Sequence, residues 1–236
     1  MSDKKIVLIA GNPSHGRGSH EHVGGMLLFA DLINKYVDGA SAVVSQGWPT
    51  DASVLKDASA FAIYSDGGEG HLIMPHLDEA AELAKKGVGV AMLHYAVEVI
   101  KGKPGDCFLE WIGGYFEMNW SVNPHWTAEF KSLPKHPINN GVKPFTMEDE
   151  WYYHMRFRNN MEGVTSVLST LPPDSTLERP DGTHSGNPDV RKAVANKEPQ
   201  HLGWCVERPD GGRGLGFTGG HFHDKWAADD LRKFIL

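Results

Sequence analysis

Cysteine is scarce in this 236-residue chain: Cys107 and Cys205 are the whole supply. Two thiols cannot build a disulfide framework, and a chain of this length needs none, since it buries roughly 70–75% of its unfolded surface. Long apolar runs are missing too. None approaches the roughly 20 residues of a transmembrane helix, so no membrane partner is expected. The opening stretch places Lys4 and Lys5 before only five apolar residues, 6–10. That core is too short for a signal peptide, and the expected location is cytoplasmic. Basic residues are outnumbered, with 23 Lys and Arg against 30 Asp and Glu and a net charge of −7. The balance argues against a nucleic-acid partner, which requires a basic face. Two catalytic signatures are also absent. There is no Gly-x-Ser-x-Gly nucleophile elbow. The glycine run Gly67-Gly68-Glu69-Gly70 lacks the Gly-Lys-Ser/Thr ending of a phosphate loop, so no nucleotide cofactor is expected.

Histidine, by contrast, is abundant. There are thirteen, many beside Gly, Pro, Trp or Glu rather than on periodic helical faces. Their setting follows from the element pattern. Short apolar runs at 6–10, 40–45, 60–64 and 88–93 read as strands. Helical spacing over 21–36 and 74–86 separates them, with Gly87 as a stop. Strands alternating with helices predict a mostly parallel sheet flanked by helices. Further along, 108–116 reads as a helix, 127–130, 145–148 and 164–171 as strands, and 201–208 with 214–218 as a hairpin. Residues 172–199 read as a long ordered loop, and 224–236 as a closing helix. No linker or repeat divides the chain, so 1–236 is expected to be a single domain.

Ligands on such sheets bind beyond the carboxyl ends of the strands. His94 directly follows the fourth strand and is the first catalytic candidate. Ser19-His20-Glu21-His22 opens the first helix, where His20 is a candidate metal ligand; the alternative is an N-cap serine with a polar first turn. Glu150 and His154 lie in Glu148-Asp149-Glu150-Trp151-Tyr152-Tyr153-His154, which supplies acid/base groups and aromatic surface together. Tyr152 is a substrate-binding candidate in that run. Gly219-Gly220-His221-Phe222-His223 ends the last strand, with His221 a metal ligand candidate and His223 a substrate contact. Asp66, at the end of the third strand, can face the site. Trp120, His125 and Trp126 suggest a platform for a sugar ring, against the alternative of a packed turn.

Several motifs taken in order resemble one family. They are 6–10 followed by His20-Glu21, Gly87-Val88-Gly89-Val90 leading to Leu93-His94, and His136-Pro137-Ile138. Asp149-Glu150-Trp151-Tyr152, and Gly212-Arg213-Gly214 running to Gly220-His221, complete the set. Over nearly the whole chain they resemble the trehalose-utilisation (ThuA-like) family. The resemblance implies a fold like that of class I glutamine amidotransferases (flavodoxin-like), here with an added β-hairpin region. It implies that His94 stands where amidotransferases carry a nucleophilic cysteine, and that the small-molecule partner is a sugar. A 3-keto-glycoside supplied by a partner sugar dehydrogenase is one such substrate.

The expected function is thus acid/base chemistry on a glycoside or 3-keto-sugar, of isomerase, lyase or hydratase type. His94 and Glu150 would move protons, and a divalent metal, zinc first, would sit at His20 and His221. Two alternatives remain open at this stage: a non-catalytic carbohydrate-binding or sensing module, and a metal-dependent hydrolase. The pattern also allows a homo-oligomer without specifying one.

Overall fold

A computed structural model describes residues 4–236. Its first half alternates strand and helix. Strand β1 (Lys4–Ala10) leads through a glycine- and histidine-rich loop to α1 (His22–Tyr36). Then come β2 (Ala40–Gln46), the short α2 (Ala52–Leu55), β3 (Ala58–Tyr64), α3 (Leu77–Lys85) and β4 (Gly89–Leu93). Helix α4 (Lys103–Trp111) is followed by β5 (Gly114–Tyr115), β6 (His125–Phe130), β7 (Phe145–Glu150) and β8 (Arg156–Phe157). The chain continues with β9 (Val164–Thr170), α5 (Pro188–Ala195), β10 (Gln200–Glu207), β11 (Arg213–Phe217) and α6 (Asp229–Ile235).

Seven strands form one sheet in the order β2-β1-β3-β4-β11-β10-β9. The pairings from β2 through to β11 are parallel, while β11–β10 and β10–β9 are antiparallel. The sheet is thus mixed and, as expected, mostly parallel. The period-2 side-chain alternation of a strand sends Val7 and Ile9 into one core, with Phe61, Met92 and Trp111. Leu8 and Ala10 enter the other, with Phe29, Phe217 and Phe234. Both faces are therefore buried, as a parallel sheet requires. Helix α1 lies close to β3: a Cβ on Gly25 would stand 2.9 Å from the Tyr64 ring. The β6–β7 pair is a separate antiparallel ribbon that carries Glu150 at its end.

Three expectations need correcting. Residues 172–199 are not one loop, because α5 begins there. Asn187 caps it by accepting the Val190 N–H, and Pro188 fills the first turn, where its missing N–H costs nothing. The helix expected over 108–116 begins earlier, at Lys103, and gives way to extended backbone at Gly114. The closing helix is interrupted at Ala228, whose extended backbone (φ −73°, ψ 122°) separates a short 3-10 turn from α6.

Candidate functional site

The parallel strands β1, β3, β4 and β11 deliver their trailing residues to one end of the sheet. The β1 loop brings Ser14, His15 and His20; β3 brings Asp66; β4 brings His94; β11 brings Gly220 and His221. Glu150 arrives from β7, with Tyr152 two residues on. Backbone bonds clamp the loops: the His20 N–H donates to His221 O at 3.0 Å, and Ser19 bridges to Phe222. His15, His20 and His94 all have positive φ, at 64°, 50° and 54°. Such backbone is uncommon for residues with a Cβ and costs about 1–3 kcal/mol each, so the surrounding contacts must hold it.

Three imidazoles and a carboxylate converge here. His94 Nε2 lies 3.1 Å from His20 Nε2, and His20 Nε2 lies 3.0 Å from His221 Nδ1. His221 Nδ1 is 3.0 Å and His94 Nε2 3.5 Å from Glu150 Oε2. The Tyr152 hydroxyl is 3.2 Å from both Glu150 Oε2 and His94 Nε2. His20 and His94 are 1% and 0% exposed.

The outer hydrogen bonds decide which ring nitrogens carry protons. His94 Nδ1 meets Thr218 O at 2.9 Å, and a carbonyl can only accept, so His94 carries its proton on Nδ1. His20 Nδ1 meets Asp66 Oδ1 at 3.0 Å. Burial acts to raise the Asp66 carboxyl, but hydrogen bonds from His20 and Ser14 outweigh it and bring it down to about 2. Asp66 is therefore ionised at neutral pH, and His20 also carries its proton on Nδ1. Two bare Nε2 lone pairs consequently face each other at 3.1 Å. A proton between them is disfavoured: burial, with help from the neighbouring imidazoles and against the opposing pull of Asp66, lowers His20 to about 4. A divalent cation between the two nitrogens would resolve the contact. The ligand atoms of His20, His94, Glu150 and His221 all lie within 4.8 Å of one another, a compact nitrogen-rich set capable of coordinating a divalent metal. Asp66 behind His20 and Thr218 O behind His94 fix the two imidazoles in place, as outer partners of histidine ligands do.

Glu150 is pulled two ways. Burial raises its carboxyl, while the His221 and His94 imidazoles overcome this and hold it far below the usual carboxylate range. It is therefore ionised at neutral pH. Asn123 Nδ2 donates to its other oxygen at 3.0 Å, and His125, 48% exposed, stands 3.8 Å from that oxygen.

The model of the trehalose utilisation family, ThuA, matches residues 15–236, nearly the whole chain and every residue of this cluster. The protein belongs to the ThuA family. That membership ties it to carbohydrate metabolism. No curated protein sequence matches it significantly. Among solved structures, a putative ThuA-like protein from Bacteroides uniformis matches with a TM-score of 0.67 at 16% identity. The alignment covers 99% of this chain and 89% of that one. A second, from Parabacteroides merdae, has a TM-score of 0.53 at 14% identity, covering 93% and 80%. At such identities the likeness speaks for the fold alone.

The ThuA-family chain brings His20, Asp66, His94, His125, Glu150, Tyr152 and His221 together. Four other candidates sit elsewhere. Trp126 is buried in the core and donates from Nε1 to Trp151 O, so it offers a sugar no face. Trp120 packs against Arg156, 3.7 Å from its ring, and against His154. His154 donates from Nδ1 to Trp120 O, which makes it part of that packed corner. His223 packs its ring on Gly24 of α1.

Three participants escape the sequence reading. His15 packs against His20 with ring centroids 3.7 Å apart and the planes tilted by 38°. His184 meets the Glu98 carboxylate at 3.0 Å. Asp149 is fully buried and accepts the Gly220 and His221 N–H groups. A histidine in a short glycine-serine loop was the available signal for His15; nothing local marks Asp149.

Proposed function

We propose that the protein is a sugar-modifying enzyme that acts on a glycoside or 3-keto-sugar by metal-assisted acid/base chemistry. The observation that carries this reading is the pair of bare imidazole nitrogens, His20 Nε2 and His94 Nε2, 3.1 Å apart beside His221 and Glu150. His20, His94 and His221 would hold a divalent ion, zinc first. Bound there, it would supply Lewis acidity toward a substrate oxygen. His94, expected from the sequence as a proton carrier, takes the ligand role in this assignment, and Glu150 keeps the proton transfer.

A carbonyl acidifies the neighbouring C–H of a keto-sugar. Glu150 Oε2 accepts that proton, and Asn123 on Oε1 holds the carboxylate in place. The Tyr152 hydroxyl, 3.2 Å from Glu150 Oε2, donates to the developing oxyanion or returns a proton. Burial of Tyr152 raises its hydroxyl well above the ordinary phenol range, which suits it to donate rather than ionise at neutral pH. Isomerisation, elimination or hydration follows from where that proton returns. The strand order 2-1-3-4, with His94 at the turn after β4, supports the amidotransferase-like, flavodoxin-like part of the reading. A dehydrogenase that makes the keto group is the partner the chemistry calls for.

The test is metal analysis of purified protein combined with turnover of 3-keto-trehalose or 3-keto-glucosides. Stoichiometric divalent metal with conversion of the keto-sugar, and none of the parent sugar, supports the proposal. Cleavage of an unoxidised glycoside would favour the hydrolase alternative. Binding without turnover would favour a sensing module.

A further inference from the structure

A polar cavity of about 370 Å³ opens beside the site, with Glu150, Asn123, His125, Thr176 and Arg179 in its wall. That volume accommodates a sugar ring. Arg179 is its unusual member. Arg156, Arg191, Arg208, Arg213 and Arg232 each meet a carboxylate, and Arg158 instead donates to the Leu109 and Glu110 carbonyls. Half-buried Arg179 meets none among the described residues; its protein partner is Asn123 Oδ1, which accepts from both Nη1 and Nη2 at 3.1 Å. A guanidinium has five N–H donors, so three remain for a ligand. Holding a cation half out of water without a counter-charge is costly, and a cavity wall is where a ligand can supply one.

The neighbourhood suits an anion. His125 shares the wall. Glu150 is the opposing charge, but its oxygens are already engaged by Tyr152, Asn123 and the His221 imidazole. The relay also has a direction. Because Arg179 can only donate, Asn123 must present its oxygen to Arg179 and its NH₂ to Glu150. An anion drawn to Arg179 would therefore lie one side chain away from the proton-accepting carboxylate.

We infer that this cavity is an anion subsite, and that the substrate is a sugar bearing a carboxylate or phosphate group read by Arg179. The inference builds on the sugar-enzyme proposal and narrows its substrate class.

The experiment is calorimetric titration of the metal-loaded protein with glucose, glucuronate, glucose 6-phosphate and inorganic phosphate, for wild type, Arg179→Gln and Arg179→Lys. Wild type should bind glucuronate or glucose 6-phosphate about tenfold or more tighter than glucose. Which of the two wins identifies carboxylate or phosphate. Arg179→Gln should bring the ratio to within about threefold of one, and Arg179→Lys should restore much of it. A wild-type ratio near one, or a preference that survives Arg179→Gln, overturns the inference. Sugar binding without anion preference would leave the sugar-enzyme proposal standing alone. Arg179-dependent phosphate binding with no sugar binding would keep the subsite and remove the sugar. No binding of any probe removes both.

Discussion

Asp149 accepts the Gly220 N–H at 2.6 Å and the His221 N–H at 3.1 Å, tying the end of β7 to the turn after β11. The turn needs that hold. Gly220 has φ +104°, and a Cβ there would stand 2.4 Å from the Trp226 ring. Asp149→Ala is expected to lower the unfolding free energy by about 3 kcal/mol, in line with loss of charge-assisted bonds in a buried place. Urea denaturation measures this. A change under about 0.5 kcal/mol would mean that the turn holds itself.

Removal of single imidazoles tests the metal assignment. His20→Ala, His94→Ala and His221→Ala should each lose stoichiometric metal while keeping a native circular dichroism spectrum. Keto-sugar turnover should fall by about 10²-fold or more. Metal retained in two of the three variants would show that the ion sits elsewhere.

Asp66→Asn keeps the shape behind His20 but removes the fixed acceptor that sets its tautomer. Metal affinity should drop about 10–100-fold, as for other outer partners of histidine ligands. Competition with a chromophoric chelator reads the change directly, and an affinity within twofold of wild type would count against the orienting role.

The Glu98 carboxylate raises His184 above the ordinary imidazole range; burial and Arg179 oppose the shift, and the more distant Glu150 favours it. A raised folded value means that the stabilisation is fully present below about pH 6.5, the unfolded value, and is lost as pH climbs through the folded value. The stability difference between wild type and His184→Gln should therefore be largest near pH 6 and shrink toward pH 8. Paired denaturation curves at those two pH values would expose a pH-independent difference, which the ion pair cannot produce.

The alternation of strand and helix over the first hundred residues was legible because each strand there is an apolar run closed by Gly, Asp or His. The site was legible to the same degree: His20, Asp66, His94 and His221 each follow the end of a parallel strand, or lie in the loop beyond one. The aromatic candidates were not. Trp126 alternates inward on β6, and no local pattern tells a buried indole from one that faces a sugar. Asp149 was hidden for a related reason. It shares an acidic run with Glu148 and Glu150, and only pairing with a turn some 70 residues away distinguishes it. Helix α5 was masked by the proline and glycine of the segment before it, although Asn187-Pro188 is a usable start signal.

The three facing imidazoles sit at positions 20, 94 and 221, and the first is bonded through its backbone to the last. No fragment of the chain holds the constellation, since β11 must add to β4 before His221 can meet His20. Metal capture would therefore be a late event in folding, favouring the complete sheet over any partly formed one. The ion would serve as a proofreader of assembly as well as a reagent.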